Sequence, residues 1–271
     1  MQLVAIRPWF SNMLITALAV ITSSASAGMT KEEVKAFESY KFSALQGESL
    51  AQGLVGYCYQ NGIGVTKDFK EAVKWYQKSA DQGEAEAQFC LGVCYEKGEG
   101  VAKNSADAVK WYRKAAAQGH APGQNNLGFC YYNGTGVPND FVEAAEWFRK
   151  SADQGYPDAQ RNLGLCYDSG LGVAHDEVEG VRWYRKAAEQ GDTKAQQYLG
   201  QAFEQGEGVA KDDVEAYAYF NLSGITNEEA RKMRVIFEKK LTPETILRGQ
   251  QRTKELQKEI EAKIAEKKAG K

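Results

Sequence analysis

The chain has 271 residues, 43% of them hydrophobic and 26% charged, with 34 basic and 36 acidic side chains. That composition excludes a disordered chain. The formal net charge of −2 excludes a global basic field for gripping nucleic acid. Only two histidines occur, His120 and His175, which leaves little material for histidine-based catalysis or metal binding.

Residues 1–27 read as a secretory signal. Arg7 supplies a weakly positive start, the run from Met13 to Ile21 an apolar core, and Ala25-Ser26-Ala27 a small-x-small cleavage pattern. A core of that length falls short of the roughly 20 residues a membrane span needs, and no later stretch has the length and apolarity either. The mature chain is therefore expected to begin near Gly28, secreted or periplasmic, with no membrane insertion.

Next comes an unpaired helix over 31–46, with Thr30 and Glu33 as its capping box and Ala36, Tyr40 and Ala44 in phase with later residues. From there a fixed period organises the chain. Trp75, Trp111, Trp147 and Trp183 are 36 residues apart, and Tyr219 takes the next place. A Gly-x-Gly-Val element ends at Val65, Val101, Val137, Val173 and Val209. Such a period marks a solenoid whose unit is one supersecondary element.

Each unit parses into two helices. Ala87, Leu91, Cys94 and Tyr95 place one apolar stripe on the first helix of the second unit, and Gly98 closes it. The second helix starts after Asp68, Asn104, Asp140, Asp176 or Asp212, all good N-caps, followed three residues on by an acid. Gly56, Gly92, Gly128, Gly164 and Gly200 interrupt every first helix, at a cost of about 1 kcal/mol each relative to alanine. A recurring cost implies a neighbouring helix too close for a Cβ. The indoles are read as packing, not as a ligand cage.

The expected fold is an all-α, right-handed α-solenoid of five two-helix repeats between helical caps. The boundaries read 1–27 signal, 28–47 capping helix, 48–83, 84–119, 120–155, 156–191 and 192–224 repeats, and 225–271 helical cap with a basic tail. Thr242-Pro243-Glu244 marks the start of the last helix.

The unit Ala-x-x-x-Leu-Gly-x-x-Tyr-x-x-Gly-x-Gly-Val-x-x-Asp-x-x-x-Ala-x-x-Trp-Tyr-x-Lys-Ala-Ala-x-Gln-Gly resembles the Sel-one-like repeat, a relative of the tetratricopeptide repeat. Residues 87–119 match it nearly throughout; Val55, Phe203 and Tyr219 are mild departures. The resemblance implies a non-enzymatic scaffold or adaptor that binds protein or peptide segments, the partner's identity being unreadable. Some cysteine-rich relatives have been described as penicillin-binding or β-lactamase-like, so a cell-wall-directed enzyme is the alternative. Against it, the mature chain has no Ser-x-x-Lys to activate a serine nucleophile. No cofactor and no metal site is expected.

Cys58, Cys94, Cys130 and Cys166 hold one place in successive units. Stacked equivalents lie about 9–10 Å apart, too far for a disulfide's Cα separation of about 4.4–6.8 Å. They read as free thiols, and so does Cys90, with a disulfide or a metal role as its alternatives. Residues 28–224 carry a net −8 and residues 225–271 a net +5. The basic tail is either a solvated helix or one that docks on an anionic surface or on its own chain.

The tetratricopeptide likeness also implies that the first helices line a concave face. The residue two after the repeat leucine, pointing into it, reads Tyr57, Val93, Phe129, Leu165 and Gln201. Phe89, Asn125 and Tyr132 are expected beside them, with Glu96, Arg161, Asp168 and Glu204 as a charged rim. An exposed apolar stripe with a polar rim suits a docked segment. The alternative is that Ile246, Leu247, Leu256 and Ile260 of the last helix cover it.

Overall fold

The computed structural model describes residues 29–269, so the expected signal segment 1–27 lies outside the described residues. Among the described residues there are thirteen α-helices and no strand. The described residues divide into two compact units, with the boundary between residues 115 and 116.

The first unit holds α1 (Lys31–Leu45), α2 (Ser49–Asn61), α3 (Phe69–Asp81) and α4 (Ala85–Lys97). Helix α5 (Ser105–Ala117) runs across the division. The capping box of α1 is present: the Glu33 amide donates to Thr30 Oγ1 at 3.1 Å and the Thr30 amide to Glu33 Oε2 at 2.8 Å. Asp68 caps α3 by accepting from the Lys70 and Glu71 amides, and Asn104 caps α5 likewise. The interrupting glycines do what their recurrence implies. A Cβ on Gly92 would lie 2.6 Å from the Tyr112 ring of its own hairpin. The second glycine of Gly-x-Gly has a separate task. Gly100, at φ +74°, lies so close to the Phe69 carbonyl that a Cβ would meet its oxygen at 2.0 Å. It joins the loop of one repeat to the second helix of the repeat before.

The second unit holds α6 (Ala121–Asn133), α7 (Phe141–Asp153), α8 (Pro157–Ser169), α9 (Glu177–Ala188), α10 (Thr193–Gln205), α11 (Asp213–Ser223), α12 (Glu228–Glu238) and α13 (Pro243–Ala269). The same hairpin rules apply: Gly164 faces Tyr184, Gly200 faces Phe220, and Asp140, Asp176 and Asp212 cap their helices. Buried glutamines sew consecutive hairpins together. Gln160 donates to the Ala152 carbonyl at 3.3 Å and accepts from Gln190 at 2.7 Å; Gln124, Gln154 and Gln196 repeat parts of the pattern. Gln124, Gln160 and Gln196 each give a second hydrogen bond to a helix-end carbonyl that already accepts a backbone amide.

Each indole lies under a lysine of its own helix, Trp75 and Trp183 buried in the core and Trp111 and Trp147 half-buried. Lys150 lies 3.9 Å from the Trp147 ring centre and Lys186 3.5 Å from that of Trp183. The lysines that favour the negative helix end therefore also make cation–π contacts.

Helix α12 stacks after α10 as a sixth first-type helix. Gln197 donates to Met233 Sδ at 3.3 Å and Lys240 pairs with Glu204 at 2.8 Å. Helix α13 packs along α11. Gly249 meets the Tyr217 ring, Asn221 donates to Thr253 at 3.3 Å, Arg252 pairs with Glu215 at 2.6 Å, and Leu256 and Ile260 are buried in the shared core. Its distal half reaches the loop after α9, where Lys263 pairs with Glu189 at 2.9 Å and Lys267 bonds Gln190. The basic tail thus docks on its own unit. The alternative that Ile246, Leu247, Leu256 and Ile260 cover the first-helix face does not hold in the second unit. Leu256 and Ile260 are spent on a second-type helix, Ile246 is half-buried against the same core, and Leu247 is exposed.

Candidate partner-binding face

Charge sets α2 and α6 apart from α7 and α9 before any side-chain geometry does, although the first-type α8 carries Asp158, Arg161 and Asp168. Among first-type helices, α2 and α6 carry no charged side chain. Second-type helices are highly charged: α7 has Glu143, Glu146, Arg149, Lys150 and Asp153, and α9 has Glu177, Glu179, Arg182, Arg185 and Lys186. Depletion of charge at the centre with aromatic enrichment is the compositional mark of a protein-binding surface.

In the first unit the expected stripe is largely closed. Phe89 and Val93 are buried, Phe89 with its ring 5.9 Å from that of Tyr112. The expectation that they form an exposed stripe is corrected, because the second helix of their hairpin takes the Phe89 face. Tyr57 is half-buried; burial, then Cys90, Cys58 and Glu86, push its hydroxyl above the ordinary tyrosine range. Glu96 accepts the Tyr112 hydroxyl and so serves the hairpin as well as the rim.

The second unit keeps an open face. Phe129 is 52% exposed on α6. Tyr132, one turn on, is half-buried, with its ring edge-on to Phe141 at 5.3 Å. Leu165 on α8 is half-buried against the core, and Gln201 on α10 continues the row. Asn125, expected on the surface, is buried and accepts from Asn162 at 2.9 Å, tying α6 to α8. It is a structural residue.

The charged rim is partly built into the fold. Arg161 bridges Asp158, at 2.8 Å, and Asp192. Burial works to lower the guanidinium's pKa, but Asp192 and Asp158 outweigh it, so Arg161 stays charged. Asp168 is exposed and accepts from the Tyr184 hydroxyl at 3.4 Å, and Glu204 is engaged by Lys240. Phe129, Tyr132, Leu165 and Asp168 therefore remain as surface groups, and Arg161 as a positioned one.

All five cysteines are free and buried. Burial pushes Cys58 and Cys94 up to about 12 and Cys166 to about 11, so these thiols stay protonated at neutral pH. Among the described residues no cluster of His, Cys, Asp or Glu could hold a metal, and no helix is long and apolar enough to cross a membrane.

The Sel1 repeat family matches residues 49–84, 85–120, 121–156, 157–192 and 193–224. No curated protein matches the chain. Among solved structures, a Sel1 repeat protein from Oxalobacter formigenes is 35% identical with a TM-score of 0.72, covering 83% of this chain and 87% of that one. The protective antigen c5321 of uropathogenic Escherichia coli, with an SLR fold, is 32% identical with a TM-score of 0.57; the match covers 88% of this chain but 60% of the antigen. The immunity protein Pa5087 of Pseudomonas aeruginosa, 21% identical with a TM-score of 0.52 over 80% of this chain and 83% of that one, shares the fold. Sel1 repeat proteins are typically protein–protein interaction scaffolds and generally non-enzymatic, and the matches give the enzyme alternative no support. With five repeats, an all-helical fold and these structural neighbours, the chain belongs to the Sel1 repeat family.

Proposed function

We propose that the protein is a non-catalytic scaffold of the periplasm or extracellular space. It docks a protein or peptide segment on the first-helix face of its second unit. The observation that carries this reading is the exposed Phe129 on a helix without charge, flanked by Tyr132 and Leu165, on a face that α13 leaves free. Large aromatic side chains anchor such contacts, and a surrounding polar rim sets register.

The test replaces Phe129 and Tyr132 with alanine and measures recovery of native envelope partners by the purified protein. Binding is expected to fall at least tenfold while the melting temperature moves by only a few degrees. A large loss of stability, or unchanged recovery, would remove the assignment. Export is tested separately by fractionation: recovery of uncleaved full-length chain in the cytosol contradicts it.

A further inference from the structure

The first-helix face of the second unit continues onto one edge, where first-type helices end and second-type helices begin. Tyr132 meets the ring of Phe141, the first residue of α7, and the adjacent Val142 is 57% exposed. One repeat on, Val178 is 51% exposed at the start of α9. The loop between α8 and α9 lies against the start of α7: a Cβ on Gly172 would sit 2.9 Å from the Val142 amide. Apolar groups therefore run from Phe129 on the helix face to the starts of α7 and α9.

The same edge is acidic. Residues 132–143 and 168–179 hold six acids, Asp140, Glu143, Asp168, Asp176, Glu177 and Glu179, and neither lysine nor arginine. The matching stretches of the first unit, 60–71 and 96–107, hold five acids and four lysines. The acids recur because helix starts use them. Asp140 and Asp176, like Asp68, accept first-turn amides, and Glu143 also accepts the Trp147 indole N–H at 3.2 Å. What changes is the cations. Where the first unit has Lys67 and Lys103, the second has Asn139 and His175; Lys70 gives way to Val142 and Val178, and Lys97 to Asn133 and Ser169.

Little within the chain replaces those lysines. Arg182 pairs with Glu179 at 3.0 Å and His175 lies 3.5 Å from Glu177. Asp140, Glu143, Asp168 and Asp176 have no ion pair among the described residues. Arg149 is turned to the Tyr167 hydroxyl, and Arg161 is held by Asp158 and Asp192. One repeat further, residues 204–215 carry five acids against Lys211, with Lys240 on Glu204 and Arg252 on Glu215.

We propose that the segment docked here is both apolar and cationic. Its apolar side chains seat on Phe129, Tyr132, Val142 and Val178, and its lysines or arginines take the places of the cations that the edge lacks. This rests on the docking role proposed for the first-helix face. The partner supplies in trans the charge that the first unit supplies for itself, which selects basic segments and makes binding weaken with salt.

Fluorescence anisotropy on the full chain tests this with two labelled synthetic amphipathic peptides of equal length, one of leucine and lysine, the other of leucine and glutamate. The lysine peptide is expected to bind at least tenfold more tightly, and the difference should shrink as salt is raised. N139K/V142K/H175K/V178K returns lysines to positions where the first unit carries them, and should weaken binding of the lysine peptide at least tenfold with circular dichroism and melting unchanged. E38K/E146K adds the same charge at exposed sites on α1 and on the outer face of α7, and should bind like the unaltered chain. Equal binding of the two peptides, an edge variant that binds as before, or an equal loss in E38K/E146K would overturn the cationic partner. The docking role is read separately, from the loss of native partners in F129A/Y132A, and stands if only the charge rule fails.

Discussion

Helices α9 and α11 hold the same place in successive repeats, yet their outer faces differ completely. The outer face of α9 carries Arg182, Arg185 and Lys186 in solvent, with Lys186 laid over Trp183. In α11 those places read Ala218, Asn221 and Leu222, and the helix is buried from Ala216 to Phe220 because α13 covers it. The difference shows how one repeat geometry yields two kinds of surface. Charge keeps an outer face in water, and its absence recruits another helix. The first-type helix α6 also lacks charge, but α13 does not cover Phe129, which stays exposed.

The comparison breaks most severely when the cover of α11 is removed. L256A/I260A should cost about 3–5 kcal/mol by emptying the core between α13 and α11. Urea unfolding checks this, and the loss should exceed that of any substitution on the outer face of α9. A smaller effect is expected inside the hairpin beneath α9. In G164V the new side chain meets the Tyr184 ring where a Cβ alone would already lie 2.6 Å away, a loss of about 1–3 kcal/mol in the same assay.

The buried thiols give a pH dependence that both surfaces share. Their pKa values in the fold lie above the ordinary thiol value of about 8.5. The unfolded chain therefore ionises first, and the stability they lend is complete below that value and lost as pH rises toward 11–12. The urea midpoint should fall between pH 8 and pH 10, and at pH 8 thiol labelling should proceed only as fast as the chain opens. K186A, which leaves Trp183 without its cation, should cost about 0.5–1 kcal/mol.

Most of this architecture is legible in the sequence because each local signal repeats. Asp140, Asp176 and Asp212 each cap a helix, and Gly164 and Gly200 each admit a ring, so one reading is checked against its neighbours. The glutamines at 52, 88, 124, 160 and 196 were an equally periodic signal, and they mark the bonds that sew hairpins together. What does not repeat is harder to read. Nothing in Ile246, Leu247, Leu256 and Ile260 says which apolar surface they seek. The informative signal lies in α11, where Ala218 of Ala216-Tyr-Ala-Tyr-Phe220 replaces the charged Lys74, Lys110, Glu146 and Arg182 of its equivalents. Phe89 and Val93 show a second limit. Spacing places a residue on a helix face, but the size of its neighbours decides whether that face reaches solvent.

The central proposal is that the first-helix face of the second unit, centred on the charge-free α6, takes the partner and the charged second-helix face does not. A photo-crosslinking amino acid placed at Phe129, or at the exposed Glu146 on α7, tests it in intact cells. The account predicts a discrete adduct from position 129 and none from position 146. Equal adducts from both positions, or one from 146 alone, would contradict it.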